Sequence, residues 1–94
     1  MIREVKEQIE QRERMLNRMV ELLISALRLD RASEEIDPDT PLFGTGLGLD
    51  SVDFIEIVVA LEYEFGISLN ENEGRFALRT INTLVDLVLS REVK

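Results

Sequence analysis

Few side chains in this sequence are equipped for chemistry. It has no histidine and no cysteine, so neither a Ser–His nor a Cys–His nucleophile can be assembled, and there is no thiolate for a disulfide or a metal. What remains is a hydroxyl between carboxylates: Asp50-Ser51-Val52-Asp53, where a glycine-spaced loop gives way to an apolar-periodic run. Asp50 is the better N-cap, because its carboxylate can accept from the backbone N–H of residue 52 or 53, with Asp53 following at N3. That leaves the Ser51 hydroxyl free of capping duty, at the first helical position and facing solvent. A phosphate ester formed there would lie at the positive end of the helix dipole. On residue types alone, Ser51 is also simply a polar residue near a helix start. Asp50 and Asp53 could in principle share acid–base work, but solvated acidic helix faces are far commoner and no burial signal accompanies them.

Two further motifs fail on inspection. Asp37-Pro38-Asp39 begins like a calcium loop, but Leu42 stands in place of the required glycine and Gly48 in place of the bidentate glutamate. Gly44-Thr45-Gly46-Leu47-Gly48 lacks the spacing, the preceding strand and the lysine of a nucleotide-binding loop. It is turn chemistry ahead of the Ser51 helix.

The element that presents Ser51 reads as a helix to Phe65, stopped by Gly66. Ile55, Val58, Leu61 and Phe65 recur along it at helical spacing and form an apolar stripe. A long first helix is expected over residues 2–29, with Leu16, Met19, Val20, Leu23, Ala26 and Leu27 on one face. In front of Met15 the pattern thins to Ile2, Val5 and Ile9 among charges, as in an extension over residues 1–14 that projects, frays or docks on a partner, a frayed or solvated one being the first expectation. Arg31 to Asp50 is a long connection in which Pro38 and Pro41 disfavour helix and Ile36 and Leu42 offer anchors to the core. Ile67 and Leu69 alternate briefly with no partner strand evident. Asn70 to Leu78 holds a short third helix weakened by Gly74, and Thr80 caps a last one carrying Ile81, Leu84, Val85, Val88 and Leu89. The fold expected is an all-α four-helix bundle with a long loop between helices 1 and 2 and a short third helix.

The whole chain narrows the function classes. Ninety-four residues make one small domain, without room for a cleft between lobes. The net charge is −8, which argues against nucleic-acid binding and for basic protein partners. The charge is uneven, near balance up to Arg31 and acidic from Glu34 onward. No apolar run approaches a membrane span, and the charged start MIREVKEQIEQRER is unlike a signal peptide, so a cytoplasmic location is the expectation.

The run Leu47-Gly48-Leu49-Asp50-Ser51-Val52-Asp53 closely resembles the L-G-x-D-S-[LIV]-D attachment site of acyl carrier proteins. Glu56, Ala60, Leu61, Glu62, Phe65, Gly66 and Ile67 also fall where that family has such residues, and Phe43 falls where it often has an aromatic under the bundle. The resemblance covers roughly residues 15 to 91 and is specific from Leu47 to Ile67. It implies that Ser51 is a substrate rather than a catalyst, esterified by 4′-phosphopantetheine from coenzyme A, with Asp50 as the helix cap beside it. The implied partners are a phosphopantetheinyl transferase and the acyl-loading, condensing and modifying enzymes of fatty acid, polyketide or related lipid biosynthesis, bound through basic docking patches. Asp50, Val52, Asp53, Glu56, Val59 and Glu62 would form the docking face, Val52 or Val59 alternatively being core. Ile55, Val58, Leu61, Leu84 and Leu87 would line a sheath for an acyl chain, with ordinary packing as the alternative. A monomer is expected.

The sequence departs from the commonest fatty-acid carrier pattern. Thr45 and Gly46 stand where acidic residues often precede the attachment run, Tyr63 replaces a second consecutive acid after Glu62, and residues 1–14 are an extension. These departures suggest a specialised carrier, in a polyketide-like, aryl-polyene-like or other lipid pathway, with primary fatty-acid synthesis and a peptidyl or D-alanyl carrier as alternatives. From another class, an unmodified acidic helical interaction module predicts the same fold and differs only at the Ser51 oxygen.

Overall fold

A computed structural model describes residues 2–92. The elements are α1 (Ile2–Leu27), a single 3-10 turn (Ser33–Glu35), α2 (Ser51–Phe65), α3 (Glu71–Ala77) and α4 (Ile81–Glu92). Among the described residues these helices form the bundle and no strand is present. The four-helix, long-loop, short-third-helix arrangement expected from the periodicities is therefore the one observed.

Helix α1 supplies the central wall, with Met15, Met19, Val20 and Leu23 buried against both α2 and α4. It ends two residues earlier than the periodicity suggests. Arg28 takes the left-handed conformation, φ 54°, and the Leu29 N–H donates back to the Ile24 carbonyl at 3.0 Å. This is a Schellman-type stop, with an arginine where glycine is usual. Asn82 and Asp86 of α4 hold Arg12 through its guanidinium, the Asp86 contact being 2.6 Å. In front of Arg12, α1 continues as helix without side-chain hydrogen bonds to other elements among the described residues.

The long loop is fastened rather than slack. Ile36 and Leu42 are both buried in the core. The Leu42 N–H donates to the Arg79 carbonyl at 2.9 Å, the Asn82 N–H to the Pro38 carbonyl at 3.1 Å, and the Leu47 N–H to the Pro41 carbonyl at 2.9 Å. Asp37 closes an Asx turn by accepting the Asp39 N–H at 2.8 Å, which gives a structural use to the first carboxylate of the failed calcium motif. Gly46 is required by closeness: a Cβ there would overlap the Pro41 carbonyl oxygen outright.

Helix α2 buries Ile57 and Leu61, with Phe54, Val58 and Phe65 packed beside them. The expected stripe is corrected at one position. Ile55 is 62 % exposed, whereas Ile57 is fully buried. Each step of three residues falls about 60° short of a full turn, so from Ile55 through Val58 to Leu61 the direction rotates by about 120°. Ile55 and Leu61 cannot share one narrow face, and packing against α1 decides for the Leu61 side.

Helices α3 and α4 close the bundle. Asn70 caps α3, accepting from the Glu73 N–H at 2.8 Å. Gly74, a weak helix former, is buried in α3 where a Cβ would sit 3.3 Å from the Phe54 ring. The small residue is there to let Phe54 in. Thr80 caps α4 as expected, its hydroxyl accepting the Thr83 N–H at 3.2 Å, and Thr83 reciprocates by accepting the Thr80 N–H at 3.0 Å.

Candidate functional site

The geometry at Ser51 begins with its neighbours. Asp50 is in extended conformation, and its carboxylate accepts from the N–H groups of Val52 and Asp53, each at 3.0 Å. The Asp53 carboxylate accepts the Asp50 N–H at 3.0 Å, completing a reciprocal capping box. These bonds hold the Asp50 carboxyl below its ordinary value of 3.8, the Asp53 N–H contributing most. Ser51 is the first residue of α2 and is exposed, and among the described residues its hydroxyl has no hydrogen-bond partner. Capping has gone to a different side chain, and the serine oxygen is left free.

Two further contacts aim this helix start. Phe43, in the loop, packs its ring against Phe54 with centroids 5.9 Å apart. The Leu49 N–H donates to the Leu42 carbonyl at 3.1 Å, drawing the chain into a turn immediately before Asp50. The run from Leu47 to Asp53 is thus clamped between a buried leucine on one side and an aromatic pair on the other. Gly48, at φ 70°, provides the reversal that a side chain would resist.

The expected docking residues separate into two groups. Asp50, Val52, Glu56 and Val59 are exposed, so neither valine belongs to the core. Asp53 and Glu62 are half-buried, and both are committed inside the molecule. Asp53 holds the cap, and Glu62 accepts the Leu69 N–H at 2.9 Å, tethering the segment that follows α2. Ile55 and Tyr63 join the exposed face instead, Tyr63 at 82 %. With Val52 and Val59 they make an outward stripe at spacings of three, four and four, a pattern the helical periodicity already carried. It borders a shallow groove between α1 and α2 lined by Leu22, Ala26, Ile55, Glu56, Val59, Ala60, Tyr63 and Glu64.

The residues expected to line an acyl sheath lie at three depths. Leu61 and Leu84 are fully buried in a filled core, and Val58 and Leu87 are half-buried at its margin. Leu87 opens onto a groove shared with Phe76 and Ala77 of α3, while Ile55 opens onto the α1–α2 groove.

Residues 17–88 match the family model described as the phosphopantetheine attachment site. The chain is similar to the mitochondrial acyl carrier protein 2 of Arabidopsis thaliana, with 41% identity over 61 residues, covering 61% of this chain and 48% of that protein. It is 35% identical over 63 residues to an acyl carrier protein of Nitratidesulfovibrio vulgaris (Miyazaki F), covering 64% of this chain and 82% of the relative. A third similarity is to an acyl carrier protein of Buchnera aphidicola, 33% identical over 67 residues, covering 71% and 81%. This chain spans about half the length of the Arabidopsis relative.

Proposed function

The chain belongs to the acyl carrier protein family, and from that premise we propose that Ser51 is its point of phosphopantetheine attachment. Members of the family are carriers rather than enzymes, and the group they bear, covalently attached 4′-phosphopantetheine, supplies a terminal thiol on which acyl cargo travels as a thioester. The observation that supports Ser51 is the division of labour at the start of α2. Asp50 takes the Val52 and Asp53 N–H groups, and among the described residues the serine hydroxyl has no partner to hold it. The residues present fit an ester anchor better than an anion pocket. Two N–H groups at the start of α2 are engaged by Asp50 and the Asp50 and Asp53 carboxylates stand beside the ester, so the arm stays mobile.

In this reading the Ser51 oxygen attacks the β-phosphorus of coenzyme A on a separate transferase, which provides Mg²⁺ and the base; adenosine 3′,5′-bisphosphate leaves. The chain's own work is then presentation. A tethered cargo reaches a docked enzyme at an effective concentration on the order of mM. The exposed carboxylates of Asp50 and Glu56 meet Lys and Arg on partners, each such pair contributing about 0–1 kcal/mol. Val52, Ile55, Val59 and Tyr63 add apolar contact between them. Docking is therefore weak, salt-sensitive and quickly reversed.

We place the carrier in acyl rather than peptidyl transfer, on the strength of the acidic face, and in a specialised lipid pathway, on the strength of Thr45, Gly46 and Tyr63. No helix among the described residues is long and apolar enough to cross a membrane. The test is intact mass after incubation with coenzyme A, Mg²⁺ and a broad-specificity phosphopantetheinyl transferase. A gain of one phosphopantetheine in the wild type and none in Ser51→Ala is the expected result. A folded wild type that two different transferases leave unchanged would overturn the assignment.

A further inference from the structure

We propose that the front of α1 is a self-association surface, through which two copies of this chain pair as antiparallel helices at the pole opposite Ser51. Its apolar residues face solvent at heptad spacing: Ile2 is 88 % exposed, and Val5 and Ile9 are each 54 % exposed. They recur at steps of three and four, the seam of a two-helix contact, and they border an apolar groove edged by Lys6, Glu10 and Glu13. A solvated extension has no reason to keep three β-branched residues on one side. Polar residues would serve it better.

Charge selects the occupant. In residues 1–14 four cations (Arg3, Lys6, Arg12 and Arg14) stand against four glutamates, so the whole net charge of −8 lies beyond residue 14. Two copies approaching through α2 would bring acidic faces together. Two approaching through this segment meet a neutral surface. Its edge is also self-complementary, because in an antiparallel two-fold pair each side of the seam meets its own counterpart. Lys6 of one copy then lies beside the Glu10–Glu13 edge of the second copy, and the reverse holds across the axis. A basic partner protein, by contrast, would find no excess of negative charge here.

Position permits the pairing without cost to the carrier site. Arg18 of α1 bonds Glu64 near the end of α2 at 2.9 Å, while Leu22 and Ala26 lie along the same groove as Ile55 and Val59, so the two helices run in opposite directions. Ser51 therefore sits beside the C-terminal end of α1. Ile9 lies about 27 Å back along the helix from Leu27, at 1.5 Å per residue. Among the described residues the last side-chain tie to the body is Arg12, held by Asp86, which leaves the segment before it projecting. The contact covers fewer than two heptads, below the area of a standard stable interface, so the dimer is concentration-dependent.

Sedimentation equilibrium of the full chain over a concentration series tests this, together with circular dichroism to verify helix content. The wild-type mass is expected to climb from 10.8 kDa toward twice that value as concentration rises to the millimolar range. Ile9→Glu should stay at the monomer mass throughout, and Lys6→Glu should weaken association at least tenfold, with Lys6→Glu/Glu10→Lys/Glu13→Lys restoring it. A wild type that remains monomeric across the series overturns the proposal and leaves the face to a different protein. So does an association abolished by Val59→Glu but untouched by Ile9→Glu. Ser51 loading measured by mass in Ile9→Glu should match the wild type, which separates this inference from the attachment assignment.

Discussion

Replacing Gly46 with alanine tests whether the loop before Ser51 is held by a close backbone approach. The added methyl carbon would overlap the Pro41 carbonyl oxygen and lie 2.7 Å from its carbonyl carbon and 2.9 Å from Thr40 Cγ2. The obstacle is backbone, and it cannot drift aside freely. The Pro41 carbonyl accepts the Leu47 N–H at 2.9 Å, and the next residue, Leu42, is fully buried with its own N–H on Arg79. Relief means breaking the Leu47 bond, about 0.5–1.5 kcal/mol net, and partly unseating Leu42, about 1.5–3 kcal/mol for a full leucine burial. The expected loss is about 2–4 kcal/mol, which in a domain of this size lowers Tm by roughly 10–30 °C. Gly44→Ala is the control. Gly44 has open space around its Cβ position and a φ of 74°, so alanine there meets only left-handed strain of about 1–2 kcal/mol. Thermal unfolding by circular dichroism reads both, and the rate of Ser51 loading should fall further in Gly46→Ala. A Tm loss in Gly46→Ala no larger than that in Gly44→Ala would refute the reasoning, because conformational freedom alone would then account for the glycine.

Ile55→Ala should leave the chemical-denaturation midpoint nearly unchanged, since the side chain is on the surface, while Ile57→Ala should cost about 2–5 kcal/mol as a cavity in a filled core. Arg28→Gly should stabilise the fold by about 0.5–1 kcal/mol by removing the left-handed strain at the end of α1, read as a rise in Tm. Asp50 links the cap to pH. Its folded carboxyl lies below the ordinary 3.8, so the stability it contributes is fully present above that value and is lost as pH falls through the lower folded one. Asp50→Asn should therefore flatten the acid limb of the stability curve below about pH 4, and an unchanged limb would mean that other carboxylates control it.

The capping box was legible because it is local: Asp50, Ser51 and Asp53 lie within one turn, and the chemistry that assigns their roles needs no other part of the chain. Gly66 as the stop of α2, Asn70 and Thr80 at the starts of α3 and α4, and the anchoring of Ile36 and Leu42 were readable for the same reason, each being a short-range pattern of residue type and spacing. The inward face of α2 was not. Apolar residues occupy most of its circumference from Phe54 to Leu61, so several stripes compete, and only contact with α1 turns Ile57 in and Ile55 out. Glu62 could equally be a docking charge or a tether until the chain after Gly66 doubles back to offer it the Leu69 N–H. Gly46 and Gly74 look like flexibility in a sequence and are closeness in the structure, because what they accommodate, Pro41 and Phe54, reaches them only through the fold. Sequence alone determined where α2, α3 and α4 begin, where α2 stops and which hydroxyl is spare. Which side chains meet was decided by tertiary packing, since burial depends on neighbours distant along the chain.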